Sequence, residues 1–150
     1  MRTIALPVNL LSEGSRQKIS DFEPWLLRSG KAYQTIRCGK ISAEDLKIPA
    51  TGKVKVHAIE VIGGKTSTID RLMDMTAENG ELRADPSRDL MKACVIDRHH
   101  ANGSIGKGFV KGFGIRCGAL AQTVAHDAHN LFVVGTNDSD MVLAANTLIG

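Results

Sequence analysis

Runs of apolar residues predict several strands along the chain. Residues 54–62 begin with valines that alternate with polar residues, which predicts a strand with one solvated face and places His57 on that face. Residues 90–96 and 131–134 are short and mostly apolar, as buried strands are. A further apolar segment spans residues 119–125 and leads towards the last of these strands.

A helix is predicted at the end of the chain. Asn137 or Asp138 would cap it, and its first turn carries an acidic residue. An apolar stripe at helical spacing follows, formed by Met141, Val142, Ala144, Ala145, Leu148 and Ile149. Short helices or turns are predicted at residues 21–27 and 41–46, whereas residues 66–75 fit a strand or a helix equally well. These elements predict an α/β or α+β fold, a mixed β-sheet with flanking helices in a single layered domain.

Glycine marks the main connections. Asn79-Gly80 predicts a hairpin-type turn. Residues 101–118 contain six of the chain's fifteen glycines. Their spacing is one residue too long for the dinucleotide-binding motif, and the ATP-binding P-loop motif is absent. We therefore expect a glycine-rich loop or bent strand in which one backbone passes close to another.

Composition narrows the possible functions. A chain of 150 residues is long enough for one domain with one hydrophobic core. The net charge of +3 is small and basic residues never form a run of four, so the clustered basic face of a nucleic-acid-binding protein is absent. The three cysteines are far apart and form no C-x-x-C pair, which favours a reduced, cytoplasmic setting. The apolar residues 1–11 are short and interrupted, so we expect neither a signal peptide nor a membrane span.

The densest group of polar side chains lies just before the strand predicted at residues 131–134. His126, Asp127, His129 and Asn130 fall within five positions. Imidazole and carboxylate groups are good metal ligands, and a histidine beside a carboxylate also suits proton transfer. On an extended strand His126 would point away from Asp127 and His129, so a site with three ligands requires a turn. The alternative is a structural turn whose side chains bond to nearby backbone groups.

Another pair of histidines, His99 and His100, follows the strand predicted at residues 90–96. Adjacent residues at the end of a strand point to opposite faces, so this pair is a poor metal site. Cys94, inside the same strand, is most simply a small core residue.

The polar turn and its surroundings carry a resemblance to a known family. The run His-Asp-Ala-His-Asn at residues 126–130 is followed by Val-Val-Gly-Thr-Asn-Asp at residues 133–138. Upstream, Gly-Phe-Val-Lys-Gly-Phe-Gly occupies residues 108–114 and Gly-Ala-Leu-Ala occupies residues 118–121. In this order the segments resemble the C-terminal domain of metal-dependent adenine deaminase, an adenine aminohydrolase of the amidohydrolase superfamily.

The resemblance runs from about residue 41 to residue 150. It implies a C-terminal-like adenine deaminase domain at residues 41–150, ending before the family's last glycine-rich segment. Residues 1–40 are weakly patterned and resemble the family least. The turn residues His126, Asp127, His129 and Asn130 would then supply groups that close the substrate pocket or orient its other residues.

The full enzyme implied by this resemblance hydrolyses adenine to hypoxanthine and ammonia in purine salvage and adenine catabolism. Its divalent metal, manganese or iron, and its main acid–base carboxylate lie in a (β/α)-barrel whose H-x-H motif this chain lacks. The resemblance therefore implies a chain that binds no metal or other cofactor itself and is inactive alone. It also implies an amidohydrolase barrel, as a domain or a subunit, as its partner, and a cytoplasmic homo-oligomer that contacts neither nucleic acid nor membrane.

Two alternatives remain open at this point. The chain could be a structural or oligomerisation domain without catalytic residues. It could also be a small self-contained metallohydrolase that uses His126, Asp127 and His129 as its metal ligands. No residue of the chain is assigned a catalytic role by the sequence alone.

Overall fold

The computed structural model describes residues 4–5, 36–125 and 127–150. In chain order its elements are β1 (Ile4–Ala5), α1 (Ala43–Leu46), β2 (Lys53–Val61), β3 (Thr68–Thr76), a 3₁₀ helix (Pro86–Arg88), β4 (Leu90–Ile96), β5 (Ile105–Lys111), β6 (Ala119–Gln122), β7 (Leu131–Gly135) and α2 (Asp138–Ile149). Within the described residues, the strands form one mixed sheet in the order β1-β6-β7-β4-β5-β2-β3. The predicted fold class is therefore confirmed, as an α+β domain with a mixed sheet and flanking helices.

The strand pairings explain where the sequence patterns were clear and where they were not. β4 lies inside the sheet, antiparallel to β5 on one side and to β7 on the other. β2 runs parallel to β5 and pairs along its whole length with β3. The ambiguous residues 66–75 are thus mainly strand, because pairing with β2 holds them rather than an apolar pattern of their own. The strands predicted at residues 54–62, 90–96 and 131–134 are confirmed to within one residue at each end.

Side chains of the sheet form two layers, because successive residues of a strand point to opposite sides. On the side against which α2 packs, the core includes Cys94, Ile96, Leu131, Val133 and Met141. On the opposite side, a second core cluster consists of Met91, Ala93, Val110 and Val134. Cys94 is confirmed as a core residue, and burial raises the pKa of its thiol to about 11. It is therefore an inert structural cysteine.

A charged side chain is buried within this core. Lys92 is 1% exposed, and its Nζ lies 2.7 Å from Oδ1 and 2.9 Å from Oδ2 of Asp138. Asp138 is the first residue of α2, so the ion pair joins the middle of the sheet to the start of the helix. The mostly apolar pattern of residues 90–96 gave no sign of this pair.

The start of α2 is fixed by a cap and by close packing. The side chain of Asn137 accepts a hydrogen bond from the backbone N–H of Asp140 at 2.9 Å, so Asn137 rather than Asp138 is the cap. Just before it, a Cβ at Gly135 would lie 2.6 Å from Cγ of Met141 and 2.7 Å from Cβ of Ala119. Only glycine fits there, because the helix and β6 approach β7 so closely.

The glycine-rich segment contains β5 and the loop that follows it, as predicted. Gly112 has a φ of +93°, and a Cβ there would lie 2.4 Å from the carbonyl oxygen of Val61, so one backbone does pass close to another. The amides of Gly112 and Gly114 donate to the carboxylate of Asp89 at 3.0 and 2.8 Å. These two amides thus bind a carboxylate of the chain itself, where a phosphate loop would offer such groups to a ligand.

The hairpin-type turn predicted at Asn79-Gly80 is confirmed. Both residues have positive φ, 52° and 83°, as the favoured two-residue hairpin turns require. The flanking residues Glu78 and Glu81 exchange backbone hydrogen bonds of 2.9 and 3.1 Å.

The hairpin of β2 and β3 carries charged side chains on its exposed surface. His57 is exposed, as predicted for the solvated face of this strand. Ionisable side chains meet across the two strands in the pairs Lys55–Asp74 and His57–Asp70 on this face and in the pair Glu60–Arg71 on the other. In the described sheet β3 is the last strand on this side.

The short helix predicted at residues 41–46 is confirmed as α1, whose start is fixed by the Asp45 carboxylate accepting the Ser42 amide and hydroxyl, each at 2.7 Å. The helix predicted at residues 21–27 lies outside the described residues. The domain boundary at residue 40 stays a prediction. None of the helices in the described part of the chain is long and apolar enough to cross a membrane.

Candidate functional site

Two polar segments meet at one end of the sheet. Ile96, the last residue of β4, pairs with Leu131, the first residue of β7. The loop at residues 97–104, here called the β4 loop, therefore lies beside residues 123–130, here called the β7 turn. Both segments were singled out in the sequence, but only the antiparallel pairing of β4 and β7 brings them together.

The β7 turn has an unfavourable backbone shape. Asp127 and His129 have φ values of 66° and 49°, in the left-handed region that favours glycine. Each such residue costs about 1–3 kcal/mol unless its surroundings hold it there. The amide of His129 donates to the carbonyl of Ala125 at 2.7 Å and closes the turn. The side chains of Asp127 and His129 are exposed, so the turn presents them at the surface.

The β4 loop contacts the β7 turn through two consecutive carbonyls. The Nε of Arg98 donates to the carbonyl of His129. The Nε2 of His99 lies 2.9 Å from the carbonyl oxygen of Ala128, and it acts as the donor because a carbonyl oxygen only accepts. The carbonyl of Arg98 itself accepts from the amide of Arg37 at 2.8 Å. The backbone of the turn is therefore bonded from outside at two adjacent residues.

Asp97 organises the β4 loop. One carboxylate oxygen accepts from the amides of His99 and His100 at 2.9 and 3.3 Å. The other accepts from Nδ1 of His100 at 2.8 Å and from the side-chain amide of Asn102 at 2.9 Å. These bonds, the His99 amide first, lower the pKa of Asp97 to about 2. Asp97 is thus ionised at neutral pH and folds the loop around its carboxylate.

Asn130 contributes a buried acceptor at the base of the turn. Its side chain is half-buried, and its buried Oδ1 atom has no hydrogen-bond donor among the described residues. An unpaired buried polar atom costs about 1–3 kcal/mol. This acceptor therefore has the capacity to bond to a group outside the described residues.

The predicted site residues are placed differently by the structure. Asp127 and His129 are exposed on the turn and Asn130 is half-buried beneath it, whereas His126 lies outside the described residues. Among the residues that the structure describes, no group of three or more His, Cys, Asp or Glu side chains is placed to hold a metal ion. The rings of His99 and His100 bond to different partners, as expected for neighbours that point apart.

The turn lies outside a cleft that the described residues form. This cleft has a volume of about 750 Å³ and lies between β3 and the start of α2, where Glu81, Arg83 and Asn137 are among its lining residues. Asp127, His129 and Asn130 are not among them.

Arg98 and His99 are the residues of this region whose role the sequence did not reveal. The local pattern shows only that they follow a strand. Their partners are backbone carbonyls, which every residue has, so the amino acids of the turn do not indicate these contacts. A signal was nevertheless present, since two polar segments bordered two buried strands. Had β4 and β7 been recognised as antiparallel neighbours, the two segments would have been placed together.

The segments that form this site match a known family. The model of the adenine deaminase C-terminal domain matches residues 65–150. The chain belongs to the adenine deaminase C-terminal domain family. The resemblance inferred from the polar turn and the glycine-rich segment is thereby confirmed.

Curated relatives agree with this assignment. The chain is 52% identical over 112 residues to an adenine deaminase from Clostridium botulinum, covering 73% of the chain and 19% of the relative. It is 44% identical over 123 residues to an adenine deaminase from Staphylothermus marinus, covering 79% and 20%. It is 42% identical over 127 residues to one from Dehalococcoides mccartyi, covering 85% and 22%. The chain spans about a fifth of the length of these adenine deaminases.

Proposed function

We propose that this chain acts as the C-terminal domain of an adenine deaminase and helps that enzyme to hydrolyse adenine to hypoxanthine and ammonia. Membership of the family and the names of the relatives support this assignment. The β7 turn would supply side chains to a substrate pocket whose other walls come from an amidohydrolase barrel. The barrel is a further domain of the same polypeptide or a separate subunit.

One observation carries the proposed role of the turn. Asp127 and His129 hold unfavourable left-handed conformations while their side chains are exposed. Glycine adopts these backbone angles without strain, so aspartate and histidine supply here side chains that the shape of the turn alone does not require. Strained polar residues that face outward are typical of binding sites.

The chemistry of these side chains suits a purine. Adenine offers N–H donors on its amino group and ring, and ring nitrogens that accept. The carboxylate of Asp127 accepts hydrogen bonds, and the imidazole of His129 can donate or accept. We propose that the two side chains read opposite kinds of group on the ring, and that Asn130 supplies an additional acceptor when the pocket closes.

The metal belongs to the barrel in this proposal. A divalent ion, manganese or iron, would activate the attacking water there. The described residues of this chain offer no set of three donors, so no metal is assigned to them and no step is routed through one. Action in purine salvage, assembly into a homo-oligomer and a cytoplasmic location belong to the same proposal.

A chimeric enzyme tests the role of the turn. This chain would replace the segment of the Clostridium botulinum adenine deaminase to which it is similar. Asp127→Asn and His129→Gln should each lower kcat/KM at least tenfold, which is about 1.4 kcal/mol of transition-state stabilisation. The melting temperature should stay nearly unchanged. The 150-residue chain alone should release no ammonia from adenine.

The hairpin of β2 and β3 offers a matched control. Asp70 and His57 are also an exposed carboxylate and imidazole, and they lie in a different part of the sheet. Asp70→Asn and His57→Gln should leave kcat/KM near that of the parent chimera. If the two turn variants instead melt several degrees lower and keep normal activity per folded molecule, the β7 turn is a structural element and the pocket assignment is wrong.

A further inference from the structure

We propose that Arg98 and His99 are positioning residues, which hold the β7 turn in the shape that presents Asp127 and His129 to adenine. This proposal rests on the function proposed above for the turn. Neither residue would touch the substrate. Both would act through the backbone carbonyls of Ala128 and His129.

The first support is the placement of the two contacts. Arg98 bonds to the carbonyl of His129, and His99 bonds to the carbonyl of Ala128. Contacts of this kind fix the path of the backbone, and these two are not made to the side chains of the turn. Because two adjacent residues of one loop bond to two adjacent carbonyls of the other, the turn can neither rotate nor shift without breaking one of the bonds.

The second support is that the turn needs such contacts. The left-handed conformations of Asp127 and His129 are unfavourable, and they persist only where surrounding structure holds them. Within the turn, the backbone bond found among the described residues joins His129 to Ala125. The β4 loop adds two bonds from outside, to the carbonyls of Ala128 and His129.

The third support is the construction of the β4 loop. The carboxylate of Asp97 gathers the amides of His99 and His100 and the side chains of His100 and Asn102. This set of bonds gives the loop a fixed shape, so Arg98 and His99 are offered to the turn in one orientation. The guanidinium also forms a stronger, charge-assisted bond than a neutral donor would. The β4 loop therefore has a fixed shape of its own, and its contacts through Arg98 and His99 hold the β7 turn in place.

Hydrogen exchange and steady-state kinetics of the chimeric enzyme test the proposal. Arg98→Met and His99→Phe remove the donors and keep side chains of similar size. We expect the amide of His129, which bonds to the carbonyl of Ala125 across the turn, to exchange at least tenfold faster in each variant, while amides of β4 and β7 keep their protection. We also expect kcat/KM to fall at least fivefold with little change in melting temperature.

Two further variants separate positioning from general stability. His99→Gln keeps an N–H donor that can reach the same carbonyl, so it should restore kcat/KM and the slow exchange to within about threefold of the parent. His57→Phe is the matched control, because its ring bonds to Asp70 on the β2–β3 hairpin and not to the β4 loop or the turn. It should leave exchange of the His129 amide and kcat/KM close to the parent values.

Hydrogen exchange and kinetics together distinguish failure of this proposal from failure of the function proposed for the turn. Unchanged exchange of the His129 amide in the Arg98→Met/His99→Phe double variant overturns the proposed hold on the turn. Faster exchange with normal kinetics overturns the positioning role if Asp127→Asn and His129→Gln do lower kcat/KM. If those two variants also leave kcat/KM normal, the turn has no part in catalysis, and the positioning role is overturned together with it.

Discussion

Removing one or the other partner of the buried ion pair of Lys92 and Asp138 should have very different effects on the free energy of unfolding. The side chain of Lys92 is 1% exposed, whereas that of Asp138 is 21% exposed. Removing the carboxylate by Asp138→Asn leaves an ammonium group in the core without its counter-charge. Breaking a buried pair in this way costs about 3–5 kcal/mol. We therefore expect Asp138→Asn to be strongly destabilising.

The reverse change should cost far less. Lys92→Met places a side chain of similar length among the apolar residues of the core. The carboxylate that remains is partly exposed and lies in the first turn of α2, where the helix dipole favours a negative charge by about 0.3–1 kcal/mol. Replacing a buried charge with a well-packed apolar group is often neutral or stabilising. We expect a change in unfolding free energy within about 1 kcal/mol of zero.

Urea unfolding of four proteins measures this asymmetry. The set consists of the parent chain, the two single variants and Lys92→Met combined with Asp138→Asn. The double variant should be close in stability to Lys92→Met, because once the ammonium is gone the carboxylate has no buried charge to offset. If Asp138→Asn costs no more than Lys92→Met, the lysine is reaching solvent and the reasoning is wrong.

Three further predictions follow from other contacts. Leu131→Ala and Val133→Ala should each destabilise the fold by roughly 2–4 kcal/mol, because both side chains are fully buried, and unchanged urea midpoints would place them at the surface instead. Gly135→Ala should cost about 1–3 kcal/mol by forcing a Cβ against Met141, and an unchanged urea midpoint would contradict this close packing. The pKa of Asp97 is lowered to about 2 from 3.8, so its contribution to stability is complete above about pH 4 and is lost as the pH falls towards 2. Urea midpoints from pH 2 to 7 should show less loss at the acid end for Asp97→Asn than for the parent, and parallel pH profiles would argue against the proposed hydrogen bonds of its carboxylate.

Part of the sheet could be predicted from local patterns, because β4 and β7 are buried and consist mostly of apolar residues, and because apolar and polar residues alternate in β2. The outer strand β3 could not, since Ile69 and Leu72 are exposed while Met75 points into the core. Only its pairing with β2 decides that this segment is a strand. The buried ion pair of Lys92 could not be predicted for a similar reason. Its partner Asp138 lies far along the chain and only the packing of α2 on the sheet brings the two together.

In the candidate site, too, some features could be predicted from the local sequence and others depend on residues far away in the chain. A density of polar residues at the β7 turn identified Asp127, His129 and Asn130 as candidates. The left-handed backbone at two of these residues could not be foreseen, because neither is glycine. The contacts of Arg98 and His99 depend on which strands are neighbours, and the sequence of a single chain carries that information only indirectly.

The paired charges of the β2–β3 hairpin have a consequence for association between chains. As the last strand of the described sheet on its side, β3 offers backbone groups to which another strand could bond. Asp70, Arg71 and Asp74 lie along it, each bonded to a residue of β2. Asp70 and Asp74 lie on one face of the strand and Arg71 on the other, so a slip of one position would exchange the two faces. An incoming strand from another molecule would have to accommodate these charges. The charges therefore limit uncontrolled growth of the sheet at this edge, and their replacement by apolar residues would make the hairpin a starting point for aggregation.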